Sequence, residues 1–253
     1  MNNESAGRVP WGLLIVGVAA VVATVIATHT WERVRTHPKG RSIDVTGSAK
    51  KRILSDEIQW AATIETQDTD RTIAYRKLAG YVQTALGYLE KQGIKRDEVR
   101  VLSAEVQKVM AQEYVGTGEQ RIEREVFKGY STSQGITVRS NDVNRVERVS
   151  REVTQLLEQG VPISSTVPLY FYTKLGEVKI EMLAAAAHDA RVRAESILQQ
   201  TGGARLGKLR TADMGVINVN AANTTETSWE GHNDTASLEK DILTVVHVSF
   251  ELE

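Results

Sequence analysis

The chain has 253 residues, is 41% hydrophobic and 25% charged, and carries a formal net charge of −1 with no cysteine. That length and balance describe a globular protein of one or two domains, and near-neutral charge gives no reason to expect nucleic acid as a partner. The missing cysteines exclude disulfides, thiolate catalysis and Cys-ligated zinc or iron–sulfur centres.

Residues 1–10 read as an N-terminal tail. The run WGLLIVGVAAVVATVIA, residues 11–27, has no charge and lies at the short end of what spans a bilayer as a helix. Trp11 and Trp31 flank it. At ~1.5 Å per residue they stand about 30 Å apart, the depth of the hydrocarbon layer, and paired tryptophans suit its two interfaces. A transmembrane anchor is therefore expected over 11–31. The rival is a signal-like segment, with Arg8 as its charged start and Val25-Ile26-Ala27 as a cleavage site. Downstream, Arg33, Arg35, Lys39 and Arg41 outweigh Arg8. The positive-inside bias on its own would hold the following domain in the cytoplasm. Residues 32–42, with Pro38-Lys39-Gly40-Arg41, read as a linker, and 43–253 as one folded domain.

Alternating patterns predict strands at Ile43–Gly47 and Glu57–Thr66. Asp68 or Asp70 then caps a long helix, with Ala74, Leu78, Val82, Ala85, Leu86 and Leu89 on one face and Gly93 as its stop. Residues 98–139 read as a long hairpin turning at Gly116–Glu119. Asn141 or Asp142 opens a second helix, with Val143, Val146, Val149, Val153, Leu156 and Leu157 on one face, ended by Gly160. VPISSTVPLYFYT reads as one strand, which Pro162 and Pro168 confine to a sheet edge or a bulge. A third helix covers 177–201, and strands follow near 206–219 and 241–252. The fold class expected is α+β, antiparallel-rich, with three long helices plus the N-terminal transmembrane helix. The helix endings LGYLEKQGI (86–94) and LLEQGV (156–161) admit two readings, a repeated strand–helix–strand unit or two good helix terminators. Residues 220–241, polar and rich in Asn, Thr and Glu, read as a long or partly disordered loop that tolerates insertion or presents Trp229 and His232 to a partner.

The search for chemistry is mostly negative. His29, His37, His188, His232 and His247 stand at no metal-ligand spacing, so neither a metal nor a cofactor is expected. Gly203-Ala204-Arg205-Leu206-Gly207 follows a helix and lacks the third glycine of a dinucleotide fingerprint. There is no P-loop and no nucleophile elbow. Asp56-Glu57 and Asp97-Glu98 are sequence neighbours at strand starts or turns, so each pair faces opposite ways. Asn223 and Asn233 begin glycosylation triplets, a pattern common by chance. The one His-Asp pair sits in AAAAHDARVRAESIL, residues 184–198. Adjacent helical residues diverge by about 100°, so His188 and Asp189 are poorly placed as base and orienter. Asp189 with Arg193, and Arg191 with Glu195, have ion-pair spacing. Leu183, Ala186, Ala187, Ala190, Ala194, Ile197 and Leu198 form the packing stripe. No catalytic residue is assigned. An enzyme site near His188, Asp189 and Arg191 is kept as the alternative, beside a partner-binding module built on 220–241.

Several stretches together carry a resemblance: IDVTGSAKKRILSDEIQWAATIET (43–66), LEKQGIKRDEVR (89–100), FKGYSTSQGITVRSNDVNRV (127–146), AAAAHDARVRAESILQQTGGARLGKL (184–209) and VVHVSFELE (245–253). In order and spacing the body resembles the SIMPL-domain family, which takes in YggE-like and periplasmic immunogenic proteins. The resemblance implies an extracytoplasmic α/β domain that forms homo-oligomers, ring- or channel-like in some relatives. It carries over no enzymatic activity and no catalytic residue, and at the level of the family it suggests links to envelope or oxidative stress. On that basis the expected location is the cytoplasmic (inner) membrane, single-pass, with the C-terminal domain periplasmic despite the basic flank at 33–41.

Overall fold

A computed structural model describes residues 11–35, 41–115, 122–224 and 228–253. The N-terminal tail 1–10, residues 36–40 of the linker and the expected hairpin turn at Gly116–Glu119 lie outside those residues. The elements in order are α1 (Trp11–Arg35), β1 (Ser42–Leu54), β2 (Glu57–Asp68), α2 (Arg71–Lys91), β3 (Val99–Val101), β4 (Glu105–Val115), β5 (Ile122–Ser140), α3 (Val143–Glu152), β6 (Ile163–Ser165), β7 (Leu169–Phe171), α4 (Leu175–Thr201), β8 (Leu206–Ala221), β9 (His232–Asn233) and β10 (Glu239–Leu252). The α+β, antiparallel-rich class is as the sequence predicts. The chain divides into two compact units, one of Ser48–Ala186 with Met214–Val245, the other of Met1–Gly47, Ala187–Asp213 and Val246–Glu253.

The larger unit is built on a sheet of order β3-β5-β2-β6. β2 and β5 pair antiparallel from Ile58↔Ser140 to Asp68↔Tyr130. β3 adds antiparallel to β5, and β6 and β7 add antiparallel to β2. Helix α2 carries the chain from β2 over β5 to β3, and α3 carries it from β5 over β2 to β6. These are two interleaved split strand–helix–strand units, the arrangement of ferredoxin-like sheets. The repeat suggested by the two helix endings is thus present in the topology.

Local chemistry explains the helices. The Asp70 carboxylate accepts the N–H groups of Thr72 at 2.7 Å and Ile73 at 3.0 Å, satisfying two orphan donors of the first turn. Asp142 does the same for Arg145 at 3.1 Å. Leu78, Val82, Ala85 and Leu89 of α2 and Val146 and Val149 of α3 are buried against Ile58, Trp60, Ala62, Ile64, Ile136 and Val138. Each large apolar side chain buried there contributes about 1.5–3 kcal/mol. Trp60 is fully buried. Its indole N–H donates to Ser165 Oγ at 2.9 Å, and Ser165 donates on to Ser150 O at 2.7 Å.

Several expectations need correction. The second helix of the body is not long: α3 ends at Glu152 and the chain tightens into a 3-10 turn, Val153–Gln159. The tighter turn puts Val153 and Leu156, three apart, into the core and leaves Leu157 exposed. VPISSTVPLYFYT is two short strands, because Pro168 has no N–H to continue the ladder. Both lie on the outer side of β2, at the edge the prolines imply. The 98–139 segment is more than a hairpin, since β3 and β4 both run along β5. A bulge between Val109 and Met110 falls opposite Gly129. A Cβ on Gly129 would stand 2.5 Å from Asp68 O, and its φ is +134°, so only glycine fits.

A second sheet has the order β1-β10-β8-β9. Within the larger unit, α4 packs Val178 and Met182 onto Ile53, Val219 and Ile242 of that sheet. Within the smaller unit, Leu252 N–H donates to Arg41 O at 2.8 Å, and Arg205 and Glu253 exchange backbone bonds at 2.9 and 3.0 Å. The expected stripe of α4 is narrower than read. Ala186, Ala190 and Ala194 are fully buried in line with Met182, whereas Ala187 and Ile197 are exposed.

Along α1 the described side chains run from 15 to 31. Among the described residues no helix is long and apolar enough to cross a membrane. Helix α1 itself continues past Trp31 to Arg35, into the segment read as linker.

Two glycines separate backbone strain from collision. Around Gly160 (φ +77°) a methyl group would meet open space, with nothing within 4 Å. Gly160→Ala is expected to cost about 1–2 kcal/mol from its left-handed backbone alone, and Gly129→Ala at least about 1 kcal/mol more. Urea unfolding of the detergent-solubilised chain measures both, and equal losses would refute the close approach at Asp68.

Candidate functional site

The alanine-rich helix does not gather the site that the His-Asp pair suggested. His188 is exposed. Asp189 Oδ2 lies 2.8 Å from Arg193 Nε, and Arg191 Nε donates to Glu195 at 3.0 Å. Both pairs run along the helix at i,i+4, as their spacing predicts. Neither cavity described below is lined by this helix. The other carboxylate pairs serve structure. Asp56 accepts from the N–H and hydroxyl of Thr173 at 2.7 and 2.8 Å, and Glu57 pairs with Arg139 at 2.7 Å. Glu98 accepts from Lys95 N–H at 2.8 Å and from the Ser140 hydroxyl at 2.6 Å.

The 220–241 segment is more ordered than its composition implies, although 225–227 lie outside the described residues. Asn218 and Val219 of β8 pair in parallel with His232 and Asn233 of β9. The Asn218 amide donates to Ser228 O at 3.2 Å and accepts Ser228 N–H at 3.1 Å. Two buried charges at the far end of the segment add to this.

Asp241 is the first. It takes a bidentate hold from Arg52, Nε to Oδ1 at 2.9 Å and Nη2 to Oδ2 at 3.2 Å, with Lys50 Nζ at 3.0 Å and the Asn223 N–H at 2.9 Å. The Arg52 hydrogen bonds, then the Asn223 N–H and Lys50, outweigh burial and hold its carboxyl well below the usual carboxylate range. Asn223 sits at φ +67° and accepts from Arg52 Nη2 at 2.6 Å. Its side chain, the glycosylation candidate, is thereby engaged within the fold.

Lys240 is the second, 2% exposed. Its ammonium donates to Tyr170 O at 3.0 Å and to Asp234 O, with Asp234 Oδ2 at 3.8 Å. Burial pushes its pKa down against the pull of Asp234. A buried, shifted lysine is a candidate nucleophile in a cleft; here its ammonium is directed at two carbonyls and pins the loop to β7.

The open surface features are a groove, a hollow and one exposed tryptophan. A groove of about 540 Å³ between the first turns of α2 and the β4–β5 hairpin is lined by Arg71, Thr72, Tyr75, Val106, Lys108 and Tyr130. Phe127 meets the Tyr130 ring edge-on at 5.2 Å between centroids. A smaller, more enclosed hollow of about 370 Å³ between α2 and β3 is walled by Gln83, Glu90 and Arg96 among others. Trp229 projects almost wholly into solvent. Among the described residues no three His, Asp or Glu side chains converge as metal ligands. Sequence reasoning singled out Trp229 but missed the groove and both buried charges. The alternation of β4, with Val106, Lys108 and Met110 on one face, was the available signal for the groove.

A family model, SIMPL, described as a protein of unknown function (DUF541), matches residues 43–250. No curated protein matches the chain.

The Asp241 cluster has a signed pH dependence. Its depressed pKa makes the stabilisation complete above the ordinary carboxylate pKa of about 4, with loss as pH falls below that. Asp241→Asn is expected to cost about 2 kcal/mol at pH 7. The gap between wild type and variant should narrow from pH 5 to pH 3 in denaturant titrations. A gap independent of pH would show that the carboxylate charge does not hold the cluster.

Proposed function

The chain belongs to the SIMPL-domain family, and we propose that it is a membrane-anchored, extracytoplasmic homo-oligomer serving as a structural or interaction module of the envelope, without a catalytic role. The observation that carries the anchor is α1. Ile15, Val16, Val18, Val21, Val22, Val25 and Ile26 are exposed along it, and the uncharged run begins ahead of them at Trp11. The hydroxyls of Thr24, Thr28 and Thr30 donate back to Ala20, Thr24 and Ile26 carbonyls at 2.7–2.8 Å. Such back-bonding satisfies a hydroxyl where no water is present. Apolar side chains exposed along residues 15–26 suit lipid better than water. The inner-membrane location, the periplasmic side and the envelope-stress association rest on the family resemblance.

A second reading, a partner-binding module working through 220–241, is favoured by Trp229, since exposed tryptophan is rare away from interfaces.

The absence of cysteine makes the orientation testable. Ser103 is exposed in the loop before β4. A full-length Ser103→Cys chain should resist alkaline carbonate extraction and react with an impermeant maleimide in intact spheroplasts. Labelling only after lysis would place the domain in the cytoplasm, and release by carbonate would remove the anchor. Light scattering of the detergent-solubilised chain should give a multiple of 27.9 kDa after subtraction of detergent. A single-copy mass at all concentrations would sink the oligomer.

A further inference from the structure

We propose that Trp229 of one copy docks into the groove between α2 and the β4–β5 hairpin of the next, joining copies head to tail. The inference rests on the homo-oligomeric reading above and names its contact.

The indole is presented by an anchored turn. The Asn218 amide holds Ser228 N–H and O at 3.1 and 3.2 Å. The Ser228 hydroxyl accepts Glu230 N–H at 3.2 Å, and Gly231 turns the chain at φ +85°. The backbone beneath the ring is thus ordered before binding, and an indole has only two side-chain torsions left to fix. At 91% exposure it has no packing of its own to give up.

The groove offers what such a ring lacks. Tyr75 is 53% exposed and Val106 44%, and with Tyr130 they line a space of about 540 Å³. Aromatic walls favour an incoming indole in edge-to-face or offset geometry. Arg71 and Lys108 stand at its lining, where a cation attracts an indole face. Charge matches as well. Among the described residues neither cation holds an ion pair, nor does Glu230, the neighbour of Trp229. The two cations of the groove and the carboxylate beside the ring complement one another.

Loop and groove belong to one compact unit, yet Trp229 leaves its own groove empty. The contact is therefore between copies. A knob on one patch and a hole on another make a heterologous interface, which closes into a ring if the rotation between copies permits.

The test uses the full-length chain in detergent, with mass read across a concentration series. Wild type should assemble. Trp229→Ala and Lys108→Glu should each raise the apparent dissociation constant about thirtyfold or more, with unchanged circular dichroism. Adding Glu230→Lys to Lys108→Glu should restore assembly. Trp229→Ala retains a groove and Lys108→Glu retains a knob, so an equimolar mixture should stop at two copies. Assembly of both variants as tight as wild type would overturn this contact and leave the oligomer standing. A wild type that stays single would remove the oligomer reading and the contact with it. A mixture that grows to the wild-type mass would exclude a head-to-tail arrangement.

Discussion

The antiparallel pairing of β2 with β5 is the constraint on which the larger unit depends. Side chains alternate across a strand, so the register Trp60↔Val138 and Ala62↔Ile136 sends Ile58, Trp60, Ala62 and Ile64 to the helix-covered face together. A slip of one residue would turn that whole set outward. The pair also sets where everything else attaches. Each central strand launches a helix that returns its chain beyond the other central strand, so β3 and β6 find their places only after β2 and β5 have met. One polar detail and one steric one hold the arrangement. Trp60 needs an acceptor for its buried N–H, and Ser165 on β6 supplies it while donating to Ser150 after α3 has crossed. At the far end Gly129 lets β5 pass within contact of Asp68.

The second sheet is held differently. Its pairings join residues distant in sequence, and charge does part of the work that local chemistry does in the helices. Arg52 and Asp241 lie 189 positions apart and meet across β1 and β10. Buried ion pairs stabilise only when their remaining hydrogen-bonding capacity is filled. The Asn223 N–H and Lys50 fill that of Asp241. Lys240, next in sequence, points the opposite way along the strand pleat and is filled by two carbonyls. One dipeptide at the start of β10 thus ties β1 on one face and the β7 and 234 region on the other.

How far the sequence discloses this follows the range of each interaction. Caps at Asp70 and Asp142, the stop at Gly160, the edge position of the proline-flanked strands and the ion pairs of residues 189–195 all act within a few residues, and all were legible. The breaks were less so. Val153 and Leu156 fit either an α-helix or a 3-10 turn until the core chooses. β3 and β4 look like one strand until both are seen to need β5. The segment 220–241 looks like a passive loop because its composition is polar. Its order comes from Asn218 and Asp241, which lie at its borders and whose partners no local pattern discloses. The Trp229 ring was legible; the groove was not, since α2 and β4 contribute to it from opposite sides of β3.

The distribution of chemistry over the fold then bears on function. A catalytic centre keeps a titratable group shifted and accessible, with its capacity unfilled until substrate arrives. Asp241, Asp234 and Lys240 are shifted; bonds that close the fold lower the two carboxyls, and burial within that fold lowers the lysine. What the larger unit turns outward is of another kind: Tyr75, Val106, Met110, Phe127 and Trp229 are each more than two-fifths exposed. Exposed aromatic and apolar side chains cost solubility, and they lower free energy only when a surface covers them. The split topology adds a second reason to look outward. It leaves β4 paired on one side only, beyond the reach of β3 and flanked by the apolar face of its own hairpin. An edge strand of that length invites pairing unless something occupies its flank. An aromatic side chain seated in the groove beside β4 would cover the apolar face and crowd the edge at once, so the same contact that joins copies in order would oppose their joining without it.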